Sequence, residues 1–144
     1  MNQAYVKGLK SELFGCEMAG KDRNHIMKNP SLQSSLSFVR EGIAKKRLIL
    51  IVGNCWVRYE GRASSQLSSG ERILILKPDG SVLLHRSKDY SPVNWQPPGS
   101  LFRTSINKGN LYIRSYRRKE NDVLEVFFDD IILLSLLDLE DTAE

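Results

Sequence analysis

The stretch RILILKPDGSVLLHR (72–86) most constrains what this chain can become. Two apolar runs flank Pro78-Asp79-Gly80. Proline presets φ, aspartate bonds its own backbone and glycine supplies positive φ, so the segment predicts a β-hairpin. LFRTSI (101–106) and LYIRSYR (111–117), joined by KGN, predict a second one. LILIV (48–52) is a short continuous apolar run. CWVRYEG (55–61) alternates Cys55, Val57 and Tyr59 against Trp56, Arg58 and Glu60, and VLEVFFDDIILLSLLDL (123–139) carries one long or broken strand. Short strands with turns at this spacing predict a mainly β, α+β fold: an antiparallel barrel or sandwich.

One helix precedes the strands. In NPSLQSSLSFVREGIAKKR, Leu32, Leu36, Val39 and Ile43 form a single helical stripe. Asn29 is suited to cap it, Pro30 to its first position, and Lys45, Lys46 and Arg47 to its last turn. Gly42 weakens such a helix by about 1 kcal/mol relative to alanine. Residues 1–28 are polar and broken by Gly8, Gly15 and Gly20. They read as an N-terminal appendage with a short helix over 4–14 and a mobile stretch over 15–28. The domain proper is expected over 29–139, and residues 140–144 form an acidic tail.

At 144 residues the chain is one domain by size. It lacks an apolar run long enough for a membrane span and lacks a signal-peptide pattern, so a cytoplasmic protein without membrane association is expected. Cys16 and Cys55 are expected to be reduced, with Cys55 buried. Two Cys and two His without ligand spacing predict no zinc site, and no cofactor or metal is expected. The formal charge of +4 hides an asymmetry: residues 1–120 hold all 21 Lys and Arg against 9 of the 17 acidic residues, and residues 121–144 hold the other 8. With KKR (45–47) and RSYRRK (114–119) as local concentrations, the body predicts a polyanion partner such as nucleic acid.

Catalytic patterns are missing. There is no G-x-S-x-G, H-E-x-x-H or phosphate-binding G-x-x-x-x-G-K-[ST], and no Glu is followed two residues later by Lys. His85, alone on a strand, is a surface or core histidine, and adjacent Asp129 and Asp130 point to opposite faces. No catalytic residue is assigned. SPVNWQPPG (91–99) instead holds an indole between prolines, which predicts a stiff loop rather than a central strand.

CWVRYEGRASSQL (55–67), ILILKPDGSVLLH (73–85) and SPVNWQPPG (91–99), in this order, resemble the N-terminal domain of the NucS or EndoMS mismatch-specific endonucleases, of the archaeal type. The resemblance covers about 35 to 139. It implies a half-open barrel that dimerises and contacts DNA, joined by a linker to a nuclease domain with a metal site. Glu144 falls where the family enters that linker, which leaves a shortened piece or a standalone DNA-binding half as alternatives. Carried over, Trp95 stacks on a flipped base, Asn94 contacts it, and Arg62 in YEGRA contacts DNA.

The residues by themselves leave a second reading of each: Trp95 as a structural plug, Asn94 as a turn cap, Arg62 as solvated or paired with Glu60. Arg58, Lys88, Arg114, Arg117, Arg118 and Lys119 are candidate phosphate contacts. The expected function is a DNA-binding module for mismatched, branched or single-stranded DNA. Rival readings are a dimeric regulator that docks a full-length nuclease or a replication or repair protein, and a fragment of the complete endonuclease. IILLSLL (131–137) is apolar on both faces except for Ser135, which predicts a homodimer interface through Ile131, Ile132, Leu133, Leu134, Leu136 and Leu137.

Overall fold

The computed structural model describes residues 23–141. The helix expected over 4–14, and Cys16, lie outside them. Nine elements follow in chain order: β1 (Asn24–Lys28), α1 (Leu32–Ala44), β2 (Leu48–Glu60), β3 (Ser64–Leu76), β4 (Val82–His85), β5 (Asn94–Gln96), β6 (Leu101–Asn107), β7 (Asn110–Arg117) and β8 (Asp122–Leu137). The strands form one antiparallel sheet in the order β5-β4-β3-β2-β8-β7-β6, and β1 pairs with the second half of β8. Both expected hairpins are present, as β3–β4 and β6–β7. In the second, Lys108 and Gly109 both take positive φ, of 51° and 79°, which matches the right-handed twist of the strands they join.

Residues 48–52 and 55–60 belong to one strand, not two, and Gly61 lies just past its end. The Gly53-Asn54 break marks a close crossing of backbones. β8 carries an extra residue against β2 twice: Val52 faces Leu133 but Gly53 faces Ile131, and Asn54 faces Asp130 but Cys55 faces Phe128. Ile132 and Asp129 are therefore bulged, and bulges bend and twist a strand. Gly53 sits between them, where an added Cβ would lie 2.2 Å from the Asp130 carbonyl oxygen. This double kink curls the sheet into a half-open barrel.

The inward positions alternate as the pleat requires. Ile49, Ile51, Leu74, Leu76, Val82, Leu84, Leu124, Val126, Phe128, Leu134 and Leu136 are all buried, and α1 lies across this inner face through Leu36 and Val39. The helix differs from expectation at both ends. Ser31, not Asn29, is the cap, its Oγ accepting from Ser34 N at 3.1 Å. Asn29 instead takes φ 48° and donates its N–H to the Ile132 carbonyl at 2.8 Å. Lys45, Lys46 and Arg47 lie beyond the helix in a C-terminal cap, with Lys46 at φ 54° and Arg47 N bonded to Gly42 O at 2.9 Å. Residues 24–28, read from sequence as appendage, are a strand hydrogen-bonded to β8. The pairing needs no apolar run, only the free half-edge of β8, so it left little trace in the sequence. His25 packs edge-on against Phe38 at 6.3 Å between ring centroids.

Gly42 faces Leu136 and Ile49, whose side chains would stand 2.6 and 2.8 Å from an added Cβ. Gly42→Ala gains about 1 kcal/mol of helix propensity, but it pushes α1 off the sheet, an overpacking cost of about 1–3 kcal/mol. The variant is expected to be less stable in urea unfolding, and equal or greater stability would show that the helix seat is slack.

Among the described residues no element covers the opposite face of the sheet, which is apolar over half its width. Register places Trp95, Leu83, Ile75, Leu50 and Ser135 in one outward row, and His85, Ile73, Val52 and Leu133 in the next. The aliphatic residues here are half-buried, while Trp95 is 63% and Ile26 54% exposed.

Candidate nucleic-acid interface

The segment around Trp95 is not wholly a loop. Asn94–Gln96 forms a three-residue strand at the edge of the sheet, paired among the described residues only with β4. Edge pairing reconciles it with the flanking prolines, which cannot sit in a central strand. Gln96 points inward and is 2% exposed. Its amide is fully used: Nε2 donates to Asp122 Oδ1 at 3.2 Å and to the Ser115 carbonyl at 3.4 Å, and Oε1 accepts from Ser100 Oγ at 3.2 Å and from Ser115 Oγ. This bolt ties β5 across the barrel mouth to β7 and β8.

Asp122 is the hub. Its Oδ2 accepts from Tyr59 OH at 2.9 Å and from Arg117 Nη1 at 3.4 Å, and Arg117 also pairs with Glu120 at 2.9 Å. A Cβ on Gly61 would lie 2.7 Å from Asp122 Cβ, so the turn carrying Arg62 rests against the same residue. Burial and the bond to Asp122 push the Tyr59 phenol up, and the charges of Arg117 and Arg62 pull it back. YEGRA and VNWQPPG, 30 residues apart in sequence, thus meet through Tyr59, Asp122 and Gln96, with Arg62 three positions after anchored Tyr59 and Trp95 one position before anchored Gln96.

KPDGS completes the frame. Asp79 Oδ1 accepts from Ser81 N at 3.0 Å and from Ser81 Oγ at 2.6 Å, and these bonds hold the carboxyl below its usual range. The turn's outer carbonyls then receive the end of the tryptophan segment, Gly99 N on Asp79 O at 2.9 Å and Ser100 N on Gly80 O at 3.2 Å. Gly80 has φ 90°, and a Cβ there would stand 2.7 Å from Ser100 N. Only glycine meets both conditions.

Trp95 is exposed, not packed as a plug. Asn94 is half-buried and occupies the inward register position opposite Leu84, while Trp95 sits outward opposite Leu83. A ligand touching both side chains must approach the free edge of β5.

The expected cations divide. Arg62, Lys88, Arg118 and Lys119 are exposed and have no ion-pair partner among the described residues. Arg58 is bound to Glu125 at 2.9 Å, Arg117 belongs to the Asp122 hub, and Arg114 lies 4.9 Å over the Tyr116 ring. These three are engaged within the sheet itself. Sequence reading missed Gln96 and Asp122, which look like ordinary polar residues until the barrel brings them together. It also missed Arg103, exposed opposite Arg114 on β6.

Of the six residues expected at a dimer interface, Ile131, Leu134 and Leu136 are committed to the chain's own core. The two bulges shift the inward register, which alternation alone could not reveal. Leu133 faces outward, and Leu133, Leu137 and the bulged Ile132 stay partly exposed. Cys55 is buried and unpaired, and burial pushes its thiol up. Among the described residues no helix is long and apolar enough to cross a membrane, and no three His, Cys, Asp or Glu side chains group as metal ligands.

Fold and site define a half-barrel β domain that bolts an exposed indole onto its edge strand. Residues 45–144 match the endonuclease NucS N-terminal PH-like domain, and the chain belongs to that family. It is 40% identical to the Endonuclease NucS of Thermococcus kodakarensis over 124 residues, covering 86% of this chain and 49% of the relative. It is 38% identical to that of Methanocaldococcus jannaschii, over 81% of this chain and 44% of the relative. Among solved structures, an EndoMS–double-stranded DNA complex superposes with a TM-score of 0.82 at 40% identity, over 86% of this chain and 52% of that one. A repair endonuclease from Pyrococcus abyssi superposes with 0.73 at 39% identity, over 84% and 52%. The chain spans about half the length of these relatives.

Proposed function

We propose that this chain is a DNA-binding and dimerisation module that takes mismatched, branched or single-stranded DNA by stacking an unpaired base on Trp95. The observation that carries the reading is the exposed indole on a strand whose neighbour, Gln96, is locked by four hydrogen bonds. Base stacking contributes about 1–3 kcal/mol and tolerates any base. Extruding a base costs a few kcal/mol, least where it is already unpaired. One stacking residue with a few polar contacts offsets that cost at a mismatch and not at a matched pair. Arg62, Lys88, Arg118 and Lys119 supply phosphate contacts, and the solved EndoMS complex with double-stranded DNA supports DNA as the polyanion.

Fluorescently labelled single-stranded, perfectly paired, mismatched and flap DNAs should bind with the perfect duplex weakest, and all affinities should fall as salt rises. Equal affinity for perfect and mismatched duplex would refute the stacking selectivity. In the same mixtures with Mg²⁺ or Mn²⁺ the chain is expected to leave every DNA uncut. Cleavage that copurifies with it and stops with EDTA would reveal an active site in these residues.

The uncovered apolar face supports a homodimer. Leu50, Val52, Ile73, Ile75, Leu83 and Leu133 present aliphatic surface that no element of the described residues covers, since α1 occupies the inner face. An apolar surface of this kind marks an association site. Light scattering should give twice the 16.4 kDa chain mass at tens of micromolar. A monomer would reject the dimer, and Leu50→Lys should produce one.

A further inference from the structure

The half of the outer face away from Trp95 has a different character. Trp56 stacks on Phe127 with ring centroids 3.9 Å apart and planes 5° from parallel, and Phe127 is in turn braced by Tyr112 at 5.0 Å. Phe127 stands on β8, on one side of β2, so the second face of the indole is turned toward β3. There the pairing slips: Cys55 faces Gly70 and Val57 faces Leu67, leaving Ser68 and Ser69 both opposite Trp56. The bulge is rigid, because buried Arg72 threads beneath it and donates to the Cys55 carbonyl at 2.6 Å and the Ser68 carbonyl at 2.5 Å. The result is a shallow depression of ≈ 510 Å³ lined by Trp56, Val57, Gln66, Leu67, Ser68 and Ser69. One wall is a π-face, and the rim holds an amide and two hydroxyls.

We propose that this depression is a second base-binding site, which takes one unpaired nucleobase of a single strand against the β3-facing side of Trp56. The inference rests on the reading of the chain as a nucleic-acid binder but not on the role of Trp95. A planar base completes a three-ring stack of Phe127, Trp56 and base. The Gln66 amide can pair with donor–acceptor edges of any base, and the serine hydroxyls rotate to suit. Charge is suitably placed: one row across five strands carries Gln66, Arg58, Glu125, Arg114 and Arg103. Three guanidinium groups against one carboxylate leave that row positive, next to the indole, where a sugar-phosphate backbone would run. Aromatic stacking beside arginines is the usual construction of sequence-tolerant single-strand sites. Arg58 and Arg114, tied within the sheet as single contacts, act here as parts of a fixed cationic rim.

The chain has two tryptophans, so Trp95→Phe leaves Trp56 as the sole indole reporter while keeping a π-face at position 95. Oligothymidylate of about twelve nucleotides is titrated into this variant at low salt, with binding followed by anisotropy of a label on the DNA and stacking by Trp56 emission. The expected result is quenching of Trp56 that saturates with the anisotropy. An abasic oligonucleotide of equal length should bind through phosphates without quenching. Adding Ser69→Leu, on an exposed residue that fills the depression without touching the core, should remove the quenching and weaken binding about 5- to 100-fold. Anisotropy that rises with Trp56 emission unchanged overturns this inference alone, and so does quenching that survives Ser69→Leu. No anisotropy change in either the Trp95→Phe variant or the parent chain overturns both the second site and the DNA-binding reading.

Discussion

Trp95→Ala is expected to weaken binding to mismatched or single-stranded DNA by about 1–3 kcal/mol, roughly 5- to 150-fold, and to leave the melting temperature unmoved. The stability half follows from burial: a side chain 63% exposed on an edge strand contributes little to the core, whereas a plug would cost about 3–5 kcal/mol when truncated. The binding half follows from pre-organisation. Gln96 is bolted to Ser115 and Asp122, Gly99 and Ser100 are tied to the KPDG turn, and Pro97 and Pro98 stiffen the link between them. The indole therefore loses little freedom on stacking.

Perfect duplex, where no base is extruded, should respond much less. Arg62→Ala separates two roles: a phosphate contact weakens all DNAs alike and lowers the salt slope by about one unit, whereas a residue filling the gap left by an extruded base follows the pattern of Trp95. Because both residues flank the Asp122 hub, the double variant should be non-additive in the second case. A Trp95→Ala protein that melts far lower yet binds mismatched DNA normally would make the indole a structural part.

Gly53→Ala is expected to destabilise the domain by about 3 kcal/mol or more. Removing a glycine ordinarily stabilises by about 0.4–1 kcal/mol through the unfolded chain, so the sign rests on what the new methyl meets. It meets the Asp130 carbonyl oxygen at 2.2 Å and the Ile131 Cα at 3.1 Å. Both are backbone atoms of β8 paired there with β2, between the stretches of β8 that β7 and β1 hold on the other side, and no rotamer change can clear them. β2 and β8 must separate at the kink, or the two bulges must reorganise. Gly42→Ala meets only side-chain ends and should cost less. Urea unfolding of both variants tests the ranking, and a Gly53→Ala protein within about 0.5 kcal/mol of the parent would show that the crossing is not tight.

Much of the fold was legible because turn chemistry and alternation are local. Pro78-Asp79-Gly80 and Lys108-Gly109 specify hairpins with no help from distant residues, and the stripe of Leu32, Leu36, Val39 and Ile43 specifies a helix of the right place and length. Its caps were misplaced because Asn29 and Ser31 are both good capping residues, and the choice was made by the Ile132 carbonyl, which captures the Asn29 N–H. β1 was missed because its partner is the leftover edge of β8.

Trp95 could be singled out from its prolines, and Arg62 and Asn94 by resemblance, but their relationship could not. The sequence by itself determined that this is a basic, antiparallel β domain with one amphipathic helix, since period, turn residues and charge act within a few positions. Only the tertiary structure decided that Gln96 and Asp122 join YEGRA to VNWQPPG, that Asn94 and Trp95 face opposite ways, and that Ile131, Leu134 and Leu136 are core. The facing of Asn94 and Trp95 follows from the pairing of β5 with β4; the other two depend on sheet curl, set by bulges at Ile132 and Asp129 and by backbone contact at Gly53, and a one-residue offset between paired strands is invisible to a pattern read along a single one.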